Sequence, residues 1–246
     1  MRKVLLIIDP QNDFVDPNGT LYIPNAGEGI KEICRVLDNS LVDFQDIILT
    51  QDTHQSYHIG HSTWWKNNPE PFTEITEKDV KSGKYIPLNK SKSYAISYIN
   101  RLPGKTHKIW PVHCLEGSWG GAFSNDLIKS IIDWQIKKKG RQYSVIKKGY
   151  NPDNEMYSVL SRADYPGGGL STNSLIKKLS SYDEVYISGF ATDVCVAWTV
   201  KDLLSSGMFE GKLRFLKNCM VGLDPNSEML KVFDDGISNH GAIWVY

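Results

Sequence analysis

The sequence has no excess of either charge: 28 lysines and arginines face 28 aspartates and glutamates. That balance removes electrostatic attraction to nucleic acid or to anionic lipid as a basis for function, and a small neutral partner is the natural expectation. No apolar run approaches the roughly 20 residues of a membrane span. Val4-Leu5-Leu6-Ile7-Ile8 is too short for the apolar region of a signal peptide and ends in Asp9 rather than at a small-residue cleavage site, so it reads as a buried strand. Cysteine is sparse. Cys34, Cys114, Cys195 and Cys219 lie far apart and form no C-x-x-C pair. This argues against a thiolate zinc knuckle and a disulfide framework, and it makes a reducing cytoplasm the expected compartment. There is no internal repeat, and 246 residues suffice for a single domain spanning 1–246 around one core.

What the chain does have is alternation. Short apolar runs near 3–9, 45–51, 143–147, 184–189, 212–217 and 242–246 read as strands. Between them lie amphipathic helices near 27–41, 125–139, 172–180 and 226–237. The second of these has Ser124 as its expected cap, Lys137-Lys138-Lys139 in its last turn and Gly140 beyond. The pattern predicts an α/β fold of three layers, αβα, with a mostly parallel sheet of roughly six strands. Gly167-Gly168-Gly169 lacks the strand-then-helix setting of a phosphate loop and reads as punctuation. The stretch from about 62 to 108 does not alternate cleanly. It holds Pro69, Pro71, Pro87 and Pro103 and predicts an excursion with a short helix near 91–101, suited to a lid or to the interface of a homo-oligomer.

Ligands of an open parallel sheet sit beyond the carboxyl ends of its strands. There the sequence places Asp9 after the first strand, Asp52-Thr53-His54 after the second, Lys147-Lys148-Gly149 after the third and Cys195 after the fourth. An acid, a metal-type pair, a base and a thiol thus reach one rim. Asp52 and His54 are two apart, so in extended chain they share a face. They can be ligands for zinc, iron or manganese, or simply a hydrogen-bonded pair. His58, His61 and His113 are candidate completions, with His58 and His61 expected behind the ligands or facing solvent. His107 and His240 show no partner pattern and read as surface residues. Lys147 and Lys148 point to opposite faces, so one of them enters the site. Asp9 ends an apolar strand, where burial should raise its pKa unless a cation lies near.

Gly189-Phe190-Ala191-Thr192-Asp193-Val194-Cys195-Val196 is the most informative stretch. It follows a strand and opens a segment, Asp193 to Leu204, with apolar residues at helical spacing. Thr192 or Asp193 is expected to cap that helix. Cys195 would then lie in its first turn, where the dipole favours a thiolate; the alternative is a small buried core residue.

Five ordered motifs carry a family resemblance: Ile7-Ile8-Asp9-Pro10-Gln11-Asn12-Asp13-Phe14, Thr50-Gln51-Asp52-Thr53-His54 with His58, Trp110-Pro111-Val112-His113-Cys114, Lys148-Gly149 with Tyr157-Ser158, and the Gly189 to Val196 stretch. The chain resembles the isochorismatase-like cysteine hydrolases, and within them the nicotinamidase/pyrazinamidase branch, over most of its length outside about 62–108. The resemblance implies Cys195 as nucleophile, Asp9 as proton carrier and Lys148 as the tuning cation. It further implies an oxyanion hole from the backbone of Ala191 and Cys195, with a cis bond between Phe190 and Ala191. One divalent metal ion, zinc ahead of iron or manganese, would sit on Asp52, His54 and His113. Phe14, Leu21, Trp110 and Tyr157 would wall a ring pocket.

The implied activity is hydrolysis of a small carboxamide, nicotinamide first, in the service of pyridine nucleotide salvage. Ureido or carbamoyl amides are the alternative. Vinyl-ether hydrolysis needs neither thiol nor metal, and a non-catalytic module would not keep all three triad residues. A zinc hydrolase with Cys195 in its core is the remaining reading. Three features depart from the branch: Asn154-Glu155-Met156 before Tyr157, Val194 before the cysteine, and the long excursion.

Overall fold

The computed structural model describes residues 1–160 and 172–246; the Gly167-Gly168-Gly169 run lies outside them. Eight strands are present among these residues: β1 Lys3–Ile8, β2 Asp46–Asp52, β3 Glu74–Thr76, β4 Thr106–Lys108, β5 Tyr143–Lys148, β6 Glu184–Phe190, β7 Leu213–Val221 and β8 Ile243–Val245. The helices are α1 Asn12–Val15, α2 Ala26–Asp38, α3 Glu77–Ser82, α4 Lys92–Arg101, α5 Asn125–Lys137, α6 Thr172–Ser180, α7 Ala197–Ser205 and α8 Lys231–His240. Six strands form one parallel sheet in the order β5-β2-β1-β6-β7-β8.

The strand sequences explain the layers. In β1, Leu5 and Ile7 enter one core with Ile30, Ile33 and Leu37 of α2 and Leu127 and Ile131 of α5. Val4, Leu6 and Ile8 enter the other, with Leu179 of α6, Val200 and Leu203 of α7 and Phe233 of α8. Alternation with a period of two puts successive side chains on opposite faces, so a continuous apolar run is what a strand covered on both faces requires. The expected three-layer αβα fold is present.

The chain winds from β1 outward through β2 to β5, then returns to β6 beside β1 and winds the other way. The order therefore reverses between β1 and β6, the place where an open α/β sheet leaves a crevice. Asp9 leaves β1 there, and Cys195 follows β6.

The excursion has structure of its own. β3 and β4 pair antiparallel, α3 starts with a capping box between Thr76 and Asp79, and Ser91 caps α4 by accepting from the Tyr94 N–H. Trp64, Trp65, Ile75, Tyr98 and Ile99 are buried in a third core between Ile59 and Ile109. Two caps differ from expectation. Ser124 makes no side-chain cap to α5; its own N–H donates to the Pro10 carbonyl at 3.0 Å and ties the helix to the turn after β1. Neither Thr192 nor Asp193 caps the segment after β6, because Asp193 instead accepts from the Leu223 and Asp224 N–H groups at 2.7 and 3.0 Å.

Candidate active site

Parallel pairing sets Asp52 beside Lys148 and Ile8 beside Gly189, so the last residues of four strands finish at one level. From the end of β5 the Lys148 ammonium crosses the end of β2. Its Nζ lies 3.0 Å from Asp9 Oδ2, 3.1 Å from Asp52 Oδ1 and 3.5 Å from Cys195 Sγ, and it donates to the Met156 carbonyl at 3.0 Å. Lys147 points the other way, to exposed Glu116 at 2.8 Å. Thr50 pins the acid: its hydroxyl donates to Asp9 Oδ1 at 2.5 Å and accepts from the Asp9 N–H at 3.0 Å.

Burial governs the electrostatics. It raises the Asp9 carboxyl above the usual carboxylate range, with Lys148 opposing and Asp52 assisting. It pushes the Cys195 thiol well above its ordinary value, again against Lys148. Lys148 is held well above its own ordinary value because Asp52 and Asp9 outweigh the burial that would lower it. Burial also pushes Asp52 upward, but His54 and Lys148 hold it well below the carboxylate range.

The backbone at Cys195 corrects the expectation of an α-helical first turn. Thr192–Val196 is a π-helical turn, and the α-helix begins only at Ala197. Burial thus favours the thiol over the thiolate, and the Lys148 ammonium, 3.0 Å from Asp9 Oδ2 and 3.5 Å from the sulfur, links the acid to it. The Phe190–Ala191 peptide bond is cis.

The second cluster adjoins the first through Asp52. His54 Nδ1 donates to the Gly149 carbonyl at 2.9 Å, and His113 Nδ1 donates to the Pro111 carbonyl at 2.8 Å. Each imidazole thereby turns Nε2 toward Asp52 Oδ2, at 3.0 Å for His54 and 3.6 Å for His113. Among the described residues, the groups whose ligand atoms all lie within 4.8 Å of one another are His54, His61 and His113, and His54, His58 and Glu155, and Asp52 adjoins both through His54. Gly149 has φ 75°, and a Cβ there would strike Asp52 and His54, so glycine is required at this approach. Burial lowers the His54 pKa, but Asp52 and Glu155 prevail and push it up to about 9, the mark of a pocket that attracts positive charge.

Above both clusters is a cleft of about 370 Å³. Phe14, Leu21, Trp110 and Tyr157 all line it, as do Cys195, Ala191, Asp52 and His113. Asp9 and Lys148 are buried and outside the lining, and His54 is likewise hidden. The hydroxyl of Tyr157 accepts from the Trp110 indole N–H at 3.2 Å, which fixes two walls together.

Several residues were not legible beforehand. Gln11 clamps the Asp52 backbone, donating to its carbonyl at 2.8 Å and accepting from its N–H at 2.7 Å. Asp13 accepts from the N–H of Cys114 at 2.6 Å and from that of Thr20 at 2.9 Å, which sets the loop after His113. Ile23, Val194, Leu223 and Glu155 also line the cleft. Gln11 and Asp13 stand inside a recognised motif, the one signal that could have found them.

The remaining histidines correct the sequence reading in part: His58 and His61 lie behind the cluster, one of the two places expected, His240 is at the surface as expected, and His107 is not. His58 and His61 are fully buried, not solvent-facing, and His61 Nε2 lies 3.3 Å from His113 Nδ1. His107 is no surface residue: it is buried under the excursion and bonded to the Ile59 carbonyl at 2.8 Å. His240 has partners, Glu210 at 2.7 Å and Asp235 at 3.7 Å.

No protein-family model matches the chain. A nicotinamidase from Saccharomyces cerevisiae is 29% identical over 197 residues, covering 80% of this chain and 79% of that protein. A solved yeast nicotinamidase superposes with a TM-score of 0.70 at 26% identity, covering 99% of each chain. A pyrazinamidase of Pyrococcus horikoshii solved in complex with zinc shares the fold, with a TM-score of 0.59 at 22% identity over 100% of this chain and 99% of that one. These nicotinamidase relatives and solved structures support a place for the chain in the nicotinamidase branch of the isochorismatase-like cysteine hydrolases.

Proposed function

We propose that the protein hydrolyses a small neutral carboxamide at a linear C–N bond, converting nicotinamide to nicotinate and ammonia with Cys195 as nucleophile. The observation that carries this reading is one buried lysine ammonium within 3.5 Å of both a carboxylate and a thiol, with the thiol lining an apolar cleft. Asp9, raised by burial, is a competent acceptor for the thiol proton. As the proton leaves, Lys148 balances the charge gathering on sulfur. Cys195 Sγ attacks the amide carbon, and the backbone N–H groups of Ala191 and Cys195 take the developing oxyanion, a contribution of about 2.7–4 kcal/mol per donor in other hydrolases. Protonated Asp9 then returns its proton to the departing ammonia, leaving a thioester. Asp9 next deprotonates water, which releases the acid and restores the thiol.

Asp52, His54 and His113 would hold a divalent metal, zinc ahead of iron or manganese. When bound, it would supply a Lewis-acidic contact for the pyridine nitrogen and so orient the ring. Phe14, Leu21, Trp110 and Tyr157 close on the faces and edge of that ring. Among the described residues the lining includes no lysine or arginine, which favours a neutral amide over a carboxylate-bearing carbamoyl compound. The four cysteines are free, in keeping with a reducing cytoplasm. No helix among the described residues is long and apolar enough to cross a membrane.

Ammonia release from nicotinamide by the wild type beside Cys195→Ala tests the reading. The wild type should turn over, and the variant should lose about 10⁴-fold or more while keeping its fold and metal. Undiminished activity in Cys195→Ala would remove the nucleophile. A folded, metal-loaded wild type that releases no ammonia would reject nicotinamide.

A further inference from the structure

Glu155 is a buried acid that the reaction above does not use. Its Oε1 accepts from the Met156 N–H at 3.0 Å and lies 3.9 Å from His54 Nε2. Its Oε2 has no hydrogen-bond partner and lies 3.7 Å from His58 Nδ1. That nitrogen already accepts from the Gly60 N–H at 3.2 Å, while His58 Nε2 donates to the Asn154 carbonyl at 3.2 Å. His58 therefore offers the carboxylate a lone pair and no proton.

A buried carboxylate facing an acceptor is costly unless a cation stands close by. The Lys148 ammonium is already committed to Asp9 and Asp52, and the basic group nearest Glu155 is the His54 imidazole, whose Nε2 lies 3.9 Å from Oε1 and would exchange its proton for a metal ion. The neighbouring backbone also leaves space for the acid: a Cβ on Gly60 would collide with Glu155 Oε2. Glu155 lines the cleft beside Asp52 and His113, and its carboxylate groups with the nitrogens of His54 and His58 within 4.8 Å.

We propose that Glu155 is a further protein ligand of the divalent metal, adding a second carboxylate to Asp52, His54 and His113. The inference rests on the metal set assigned to those three residues. A second carboxylate makes the site richer in oxygen, which suits manganese more than zinc. Its loss should therefore weaken manganese more than zinc.

The test titrates the metal-free proteins with Zn²⁺ and Mn²⁺ in competition with a chromogenic chelator. Glu155→Gln keeps the shape and removes the charge. It should bind Mn²⁺ about 10–100-fold more weakly, with a smaller loss for Zn²⁺. Gly60→Ala, which crowds the carboxylate out of place, should lose affinity in the same order. Asp52→Ala is the control for the underlying set and should retain neither metal. Wild-type affinity for both metals in Glu155→Gln would overturn the proposal. Wild-type affinity in Asp52→Ala would overturn the three-residue set instead.

Discussion

The two polar clusters of the site meet at Asp52 but are built by different means. The thiol cluster draws Asp9, Lys148 and Cys195 from the ends of β1, β5 and β6, and the register of one parallel sheet fixes where they stop. The metal-type cluster takes Asp52 from β2, yet His113 comes from the chain leaving the excursion, and His58 and His61 from the chain entering it. One cluster is as rigid as the sheet. The other depends on a satellite core of Trp64, Trp65, Ile75, Tyr98 and Ile99. The groups proposed to react sit on the sheet, and the excursion supplies groups proposed to orient the substrate.

Lys148→Met breaks the comparison most severely, because this ammonium serves both clusters. It would leave Asp9 and Asp52 buried without their cation, and removing one partner of a buried ion pair costs about 3–5 kcal/mol. Denaturant unfolding should register that loss, together with the disappearance of turnover. Wild-type stability would mean the two carboxylates find another counter-charge.

Trp64→Ala sharpens the comparison with less damage to the chemistry. Trp64 is fully buried in the excursion core and its indole donates to Asp153 at 3.0 Å. A cavity there should cost about 3–5 kcal/mol. Metal affinity should fall with it, while the rate of Cys195 alkylation by iodoacetamide stays near that of the wild type. A slowed alkylation rate would show that the sheet and the excursion are not separable.

The same division governs what could be read beforehand. Strands with apolar residues on both faces announce themselves, and an acid, a lysine and a cysteine at their ends converge once the sheet is parallel. The placements of Asp9, Cys195 and one lysine of the Lys147-Lys148 pair were legible on that account, and the family resemblance singled out Lys148. The surroundings of His107, His58 and His61 were not, because their burial depends on how a polar, proline-bearing segment folds on itself, and periodicity carries no trace of that. Glu155 stood out only as a departure from the branch, because it follows no strand or helix pattern, and it is the packing of Gly60 and His58 against it that reveals one carboxylate oxygen without a hydrogen-bond partner. Local chemistry also overrode a simple rule at Cys195. A helix start suggested a favoured thiolate, but the turn there is π-helical and burial pushes the thiol well above its ordinary value.

The central claim is a thioester on Cys195. It is tested most directly by adding hydroxylamine to the wild type while it turns over nicotinamide. A covalent acyl intermediate will be intercepted, and the hydroxamate will replace nicotinate in proportion to the hydroxylamine added, with neither product from Cys195→Ala. Nicotinate alone at every hydroxylamine concentration would mean that water attacks the amide directly, and the nucleophilic role of Cys195 would fall.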